Sequence, residues 1–407
     1  MDKGSFSDFL KKHYRILIAY SVFVVLLAIS MFHILGKTGI DLWDLEGQSR
    51  LCAYAIRGVD PYKIIGKSEE TIEGMGTIPN TYATVPWGLI LGMIFYPGIA
   101  PGVVLNRLFL AINVICIVIT TIIVLYVLYE ERNSYAFFAA LLTLLAPDYL
   151  QAMDQGNAGG MIGCMLLLAF VLCKNCPILS GICLAVAMIK PQCAFPVCLA
   201  FFLLMEWTPL LVAATIDLIS LFSASAIVHV NFIDLILEFL TSNVGGGKFW
   251  AGIFEPLRYV FEHHRLLLIF SMSFGVCFIV FTFWFTRKSE NASLILFTTS
   301  FFTATFWSYA WLNDGMVLIV PSLVILYCIL NEIKPARQSW LFVCLCYCYF
   351  GQVIIWRLDL LLKKSLKVEA IDAHTLYEIG IIGITVALII YLQQHKTNLV
   401  FIRRNNK

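Results

Sequence analysis

The sequence predicts an all-α polytopic membrane protein, and two observations lead to this fold class. Of the 407 residues, 60% are hydrophobic and 13% are charged, whereas a soluble domain carries about 25% charged residues. Apolar runs of about 18 residues or more recur along the chain, and each is long enough to cross a hydrocarbon core ~30 Å thick. The chain has a net charge of +2 and no basic tract, so no nucleic-acid partner is expected.

Apolar composition and length divide the chain into about thirteen apolar segments, several of them short. The segments cover residues 15–35, 85–101, 103–129, 135–149, 158–173, 177–190, 192–206, 209–230, 265–286, 291–307, 313–330, 339–356 and 375–394. We interpret residues 1–407 as a single transmembrane domain with a first outer loop at 36–84 and a second outer loop at 231–264.

Positive charges set the predicted topology. Lys11, Lys12 and Arg15 precede or open the first apolar segment, which is too long for a cleaved signal peptide, so the N-terminus is predicted to be cytoplasmic. The C-terminal tail is also basic and is predicted to lie on the same side. Two cytoplasmic termini require an even number of crossings, which gives about 12 transmembrane helices and leaves at least one segment re-entrant or broken. The candidates are 85–101 and 135–149, which contain prolines.

An acidic stretch opens the first outer loop. Asp41, Asp44 and Glu46 lie close to a membrane face, where each of these carboxylates can accept a proton from a hydroxyl group. The alternative is a solvated cap before a helix. Residues Arg50–Arg57 place apolar and charged side chains on opposite stripes of a helix, which favours a helix lying on the membrane surface.

Further polar groups lie at the ends of apolar segments. They are Asp154, Gln155 and Asn157 before the segment at 158–173, Lys190 between two segments, Tyr309, Asn313 and Asp314 in an aromatic turn, and Arg357 in a basic loop at 357–374. A lysine between apolar segments is costly unless it is paired, so Lys190 either faces a phosphate or snorkels to the interface. The structural alternative for the polar residues at 154–157 is a helix N-cap. For the aromatic turn it is an aromatic belt at the membrane interface. The basic loop either binds an anionic headgroup or reflects a miscounted helix.

Taken in order, these motifs resemble the polyprenyl-phosphate-dependent glycosyltransferases of family 87, a GT-C-fold group that includes bacterial membrane mannosyltransferases. The resemblance covers roughly residues 40–320. It is carried by Asp44 with Gly58-Val59-Asp60-Pro61-Tyr62 after it, the turn Gly156-Asn157-Ala158-Gly159, a small-residue helix ending at Lys190-Pro191, and the polar-aromatic turn Trp307–Asp314.

The resemblance implies an inverting transfer of a mannose-like sugar from a polyprenyl-phosphate donor to a lipid or glycan acceptor. Asp44 would be the general base, with Asp41 as the runner-up. The donor-binding residues would come from the other groups, namely Lys190, Asn157, Gln155, Asp154, Tyr309, Asn313, Asp314 and Arg357. No metal or other cofactor is expected, because the leaving group is already a phosphate and the chain has no Asp-x-Asp motif. The expected location is the bacterial plasma membrane, in cell-envelope synthesis, with the active site on the outer face.

A secondary transporter or lipid flippase without glycosyl transfer is the alternative, since it would share the many helices and broken segments. The long acidic first loop and the lack of an inverted sequence repeat favour the transferase. The thirteen cysteines have no ligand-like spacing, and we predict that they pack as small apolar side chains, including the Cys173 and Cys176 pair.

Overall fold

The computed structural model describes residues 42–67, 71–78, 84–98, 103–128, 155–246, 264–307, 317–332, 334–366 and 373–395, together with positions 14, 18, 21, 254 and 257. Every regular element in these ranges is a helix, which confirms the predicted all-α class. Most of the predicted segment at 15–35 and all of the one at 135–149 lie outside the described residues.

Thirteen α-helices follow one another within these ranges. They are α1 Trp43–Ile56, α2 Gly88–Leu91, α3 Val103–Leu128, α4 Gly159–Leu172, α5 Pro177–Ala187, α6 Pro191–Leu203, α7 Trp207–Val228, α8 Phe232–Gly246, α9 His264–Thr286, α10 Ala292–Thr303, α11 Ile319–Asn331, α12 Pro335–Leu366 and α13 Ala373–Gln394. Short 3-10 turns cover Pro61–Lys63 and Gly92–Ile94.

Four of the described helices, α3, α7, α9 and α13, are long and apolar enough to cross a membrane. They coincide with the predicted segments at 103–129, 209–230, 265–286 and 375–394. Shorter apolar helices of 11 to 14 residues occupy the predicted segments in between, namely α4, α5, α6, α10 and α11. The described part of the chain therefore combines helices long enough to cross a membrane with helices that are individually too short to cross a core ~30 Å thick.

The predicted segment at 85–101 is a broken one. Helix α2 has four residues and is followed directly by the three-residue 3-10 turn Gly92–Ile94. At 1.5–2.0 Å per residue the two turns rise about 12 Å, which is far less than a membrane crossing. They pack against α7 and α1, so the backbone groups that a broken segment leaves without helical partners are covered by protein.

Two loops predicted from the sequence contain helix. Residues 231–264 begin with α8, because Asp234 and Glu238 interrupt the apolar run without breaking its helical period. Helix α12 continues to Leu366, so Arg357 lies on a helix and not in the predicted basic loop at 357–374. Lysine and arginine are good helix formers, and a charge run therefore does not end a helix.

Helix α1 forms where Arg50–Arg57 predicted a helix, but it packs against other parts of the protein on two sides, whereas the sequence predicted one apolar face. Leu45 and Cys52 belong to the larger apolar cluster, which includes residues of α3 to α6 and α9 to α13. Leu51 and Tyr54 belong to a smaller cluster that includes residues of α7 and α8. The helix is thus packed on two sides, which fixes its position relative to the rest of the protein.

The charged side of α1 is covered by the remainder of the first loop, which explains this difference from the prediction. The Arg50 guanidinium donates to the Thr77 carbonyl at 3.2 Å and contacts the Glu46 carboxylate at 3.2 Å. The Tyr54 hydroxyl donates to the Gly76 carbonyl at 2.9 Å. A helix whose charged side chains bind groups in a neighbouring loop has the same sequence pattern as a helix whose charged side chains face water. The pattern alone therefore does not distinguish the two.

A polar cluster ties the end of α13 to two neighbouring turns. The Glu332 carboxylate accepts hydrogen bonds from the Tyr391 hydroxyl at 2.8 Å and from the Lys334 backbone N–H at 3.0 Å, and the Arg337 guanidinium lies 3.8 Å away. The Asn291 amide donates to two carbonyl groups near the end of α13, at 2.6 and 2.7 Å. The Lys334 N–H, the Tyr391 hydroxyl and Arg337 hold the pKa of Glu332 below its ordinary value.

This cluster predicts a specific pH dependence of stability. A carboxyl group with a lowered folded-state pKa stabilises the protein above its unfolded-state pKa, and this contribution is lost as the pH falls through the folded-state value. We expect Glu332→Gln to lower the thermal unfolding temperature at pH 7 and to have a smaller effect in acid. Glu73→Gln, at an exposed loop position, is the control. A difference between wild type and Glu332→Gln that does not change with pH would contradict the expectation.

Candidate functional site

Asp44 lies in the first turn of α1, and its side chain is almost completely buried, with 6% of the residue exposed. The helix N-terminus carries a partial positive charge, which favours an acidic residue in the first turn. A buried carboxylate is costly unless it is hydrogen-bonded or paired with a cation. The partners of Asp44 therefore define what this carboxylate can do.

Asn157 is one of these partners, and it connects Asp44 to Lys190. Its amide nitrogen donates to Oδ2 of Asp44. Its amide oxygen accepts from Nζ of Lys190 at 2.6 Å and from the backbone N–H of Gly159 at 2.8 Å. One buried amide thus joins a carboxylate from the first loop to an ammonium group that is 146 residues away (190 − 44) in the chain.

The turn that carries Asn157 is held directly against α1. Gly156 has φ +72°, and a Cβ atom there would lie 2.5 Å from Cβ of Leu45. The Tyr96 hydroxyl accepts a hydrogen bond from the backbone N–H of Ala158 at 2.9 Å. Glycine is needed here for two reasons, because the left-handed φ is costly for other residues and because the neighbouring helix leaves no space.

Replacing Gly156 with alanine tests whether this close approach supports the site. We expect Gly156→Ala to destabilise the protein by about 1–3 kcal/mol from the left-handed backbone alone. The contact with Leu45 should also displace the turn that carries Asn157. The rate of glycosyl transfer, the reaction that the resemblance implies, should therefore fall by more than the loss of folded protein alone would cause. The measurements are thermal unfolding and the activity of the purified variant.

Gly74 provides the matched control for that substitution. It has φ +77°, but a Cβ atom there has nothing within 4 Å. Gly74→Ala should therefore show the backbone cost without the displacement, and activity should follow stability. Equal losses of activity in both variants would show that the approach of Gly156 to Leu45 does not matter.

Lys190 lies in the turn between α5 and α6, and its ammonium group is partly buried. Pro191 opens α6, and the Lys190 carbonyl accepts from two backbone N–H groups of that helix's first turn, at 3.0 and 3.2 Å. Two indole groups donate hydrogen bonds to backbone carbonyls next to Lys190. Trp87 Nε1 donates to the Met188 carbonyl at 2.9 Å, and Trp307 Nε1 donates to the Gln192 carbonyl at 2.7 Å.

The structure brings together three of the predicted groups and leaves one apart. Asp44, Asn157 and Lys190 are joined by hydrogen bonds, and Gln155 precedes the same turn. Arg357 is exposed on α12, which packs mainly against α11 and α13. The remaining predicted site residues lie outside the described ranges, namely Asp41, Asp154, Tyr309, Asn313 and Asp314.

The Gly58–Tyr62 motif has a structural part in this arrangement. Asp60 accepts from the Tyr62 backbone N–H at 3.0 Å and caps the 3-10 turn, and the Tyr62 hydroxyl donates to the Thr84 carbonyl at 2.5 Å. Gly58 has φ +77°, and a Cβ atom there would lie 3.3 Å from the Ile227 carbonyl oxygen on α7. The motif therefore docks the end of α1 against the end of α7.

One residue of the site, Tyr96, was missed in the sequence, because it lies in an apolar segment where an aromatic residue normally packs. A hydroxyl within an apolar segment that is broken by prolines is the one signal that could have pointed to Tyr96, because such backbone needs polar partners. Gly156 belongs to a turn whose glycines allow another element to approach the backbone closely, and the structure shows this approach at Leu45.

The arrangement combines a proton acceptor and a cation. An ionised carboxylate can take a proton from a hydroxyl group, and an ammonium group can stabilise negative charge that develops on a neighbouring phosphate. The bridging amide fixes both side chains, so that neither has to be ordered when a substrate binds.

Comparison of the chain with protein-family models, with curated proteins and with solved structures gives no match.

Proposed function

We propose that the protein is a membrane glycosyltransferase that moves a mannose-like sugar from a polyprenyl-phosphate donor to a lipid or glycan acceptor with inversion. The observation that carries the proposal is the hydrogen-bonded series Asp44–Asn157–Lys190. It joins three motifs in which the sequence resembles, in the same order, the family 87 enzymes. Membership of that family, its GT-C fold, about 12 spans and cytoplasmic termini are part of the same proposal.

The proposed reaction needs one base and one stabilising cation. The acceptor hydroxyl oxygen attacks the anomeric carbon from the face opposite the phosphate, and its proton passes to a carboxylate oxygen of Asp44. The bond between the anomeric carbon and the phosphate oxygen breaks, and the electron pair stays on the polyprenyl phosphate. Lys190 stabilises the negative charge that grows on this phosphate. No general acid is required, because the phosphate leaves without a proton.

Incubation of the purified protein in lipid vesicles with a radiolabelled polyprenyl-phosphate sugar tests the proposal. We expect transfer of the label to an acceptor lipid or glycan, with the anomeric configuration inverted in the product. A substrate that remains intact in the presence of a panel of polyprenyl-phosphate sugars and membrane extracts as acceptors would overturn the proposal.

A secondary transporter or flippase is the second candidate, and two carboxylates favour it. Asp217 lies at the centre of α7, and Glu378 lies fully buried in the span formed by α13. Ionisable residues within spans are costly, and they mark substrate and proton pathways in transporters. Movement of a labelled lipid-linked sugar across the vesicle membrane without cleavage would support this candidate instead.

Metal independence is a separate prediction of the transferase proposal. Because the donor supplies its own phosphate leaving group, no cation is needed to hold a nucleotide sugar. We expect full activity after treatment with EDTA. Loss of activity in EDTA that magnesium or manganese restores would contradict this expectation, although it would leave the transfer reaction itself in place.

A further inference from the structure

We propose that α8 is an interfacial helix whose exposed apolar face inserts into membrane lipid. In this position it anchors the first loop, and hence α1, at the membrane surface. The inference concerns an interaction surface, and it does not depend on whether the reaction is glycosyl transfer.

The described side chains of α8, at residues 232–241, divide into three sectors around the helix axis. Ile233, Leu237 and Leu240 recur at the spacing of one helix face, and each is 51–53% exposed. Asp234 and Thr241 are also exposed and lie together beside this face. A helix with an apolar face and a neighbouring polar face is the pattern of an element at a lipid–water boundary.

The third sector of α8 packs against the protein. Leu235 is fully buried, and the ring of Phe239 contacts the ring of Tyr62 with centroids 5.7 Å apart. The Glu238 carboxylate lies 3.0 Å from Nζ of Lys63. This sector therefore holds the 3-10 turn of the first loop, and through it the end of α1.

The length and charge of α8 favour a position at the interface over a membrane crossing. Its described part has 15 residues, which at 1.5 Å per residue gives about 22 Å, less than the ~30 Å of a hydrocarbon core. It also carries two carboxylates within its first seven residues. An orientation along the membrane surface buries the apolar face and leaves Asp234 in water.

The exposed face of α8 continues the lipid-facing surface of α7, which identifies lipid as its occupant. Leu218 and Phe222 are about half exposed on the α7 span. The α7 helix ends at Val228, and the ring of Phe222 contacts the ring of Phe232 at the start of α8, with centroids 5.0 Å apart. Hydrocarbon chains that cover α7 thus reach the apolar face of α8 without a gap.

Site-directed spin labelling of the full chain in lipid vesicles tests the inference. Labels are introduced singly by Ile233→Cys, Leu237→Cys and Leu240→Cys, in a background in which the exposed cysteines Cys176 and Cys277 are replaced by serine. We expect collisions of these labels with oxygen, which concentrates in lipid, to exceed collisions with a water-soluble nickel complex. A label at Ile219, an exposed position of the α7 span, is the positive control.

Labels at Asp234→Cys and Thr241→Cys should show the opposite preference, because their sector faces water. Preferential collision with nickel at Leu237 and Leu240 would show that the apolar face is in water and would overturn the inference. Low collision with both reagents at those positions would also overturn it, because the face would then be covered by protein. Because Ile233, Asp234, Leu237, Leu240 and Thr241 are exposed, thermal unfolding near that of the background protein is expected for the variants at these five positions. A label at the buried Leu235 should collide with neither reagent.

Discussion

Replacing Asp44 with asparagine is expected to lower the rate of sugar transfer by about 10²- to 10⁴-fold, the loss typical of a missing general base. Asparagine has the size of aspartate and can still accept the hydrogen bond from Asn157 through its amide oxygen. It cannot accept the proton of the acceptor hydroxyl. The substitution should therefore change activity much more than stability, although the side chain is buried. The measurement is the rate of transfer from a polyprenyl-phosphate sugar, together with thermal unfolding of the same preparation.

Two further variants make this experiment decisive. Glu46→Gln removes a carboxylate from the same first turn of α1 whose partner is Arg50, and it should leave the transfer rate nearly unchanged. Asp41→Asn should cost less activity than Asp44→Asn. If Asp44→Asn stays active while a folded Asp41→Asn is inactive, the base is Asp41. If both stay active, the carboxylate-base mechanism in this loop is wrong.

The helices of the fold could be predicted from the sequence because long apolar runs leave few alternatives. The bounds of α3, α7, α9 and α13 lie within a few residues of the predicted segments. The prolines of the segment at 85–101 also indicated a broken element, since proline removes a backbone donor. These features depend on local sequence, and the sequence of a single chain is therefore sufficient to predict them.

The position of α1 could not be predicted in the same way. The apolar stripe within Arg50–Arg57 predicted a single apolar face. The structure buries Leu51 and Tyr54 on one side of the helix and also Leu45 and Cys52 on another side. Arg50, which sequence reasoning placed in water, has its partners in the first loop. Burial of this kind depends on which distant segments return to cover a helix, and the local pattern does not contain that information.

The candidate site shows the same limit. The sequence identified Asp44, Asn157 and Lys190 separately, each with a structural alternative. The link between them is a tertiary contact over 113 and 33 residues, and no spacing rule predicts it. The order of motifs in the resemblance was the only sequence feature that related them, and it gave no geometry.

Replacing Lys190 with methionine is expected to lower kcat by about 10²- to 10³-fold, the loss typical of removing one group that stabilises charge in the transition state. Methionine keeps the length and the apolar stem of the side chain but removes the ammonium group. Lys190→Arg keeps the positive charge with a different geometry, so an intermediate loss is expected. Because Lys190 also donates to Asn157, the Asn157→Ala variant is needed to measure how much of the effect comes from the lost bridge.

Lys174 offers a matched control for the Lys190 substitution. It lies in another turn between short apolar helices, between α4 and α5, and its ammonium group pairs with the Glu206 carboxylate. Lys174→Met should lower the unfolding temperature and leave kcat nearly unchanged. The double variant Asp44→Asn with Lys190→Met should lose less than the product of the single losses, because residues that act on one transition state are not additive. If Lys190→Met lowers stability as Lys174→Met does and kcat is unaffected, Lys190 is a snorkelling or structural lysine, and the cation on the leaving phosphate must come from another residue.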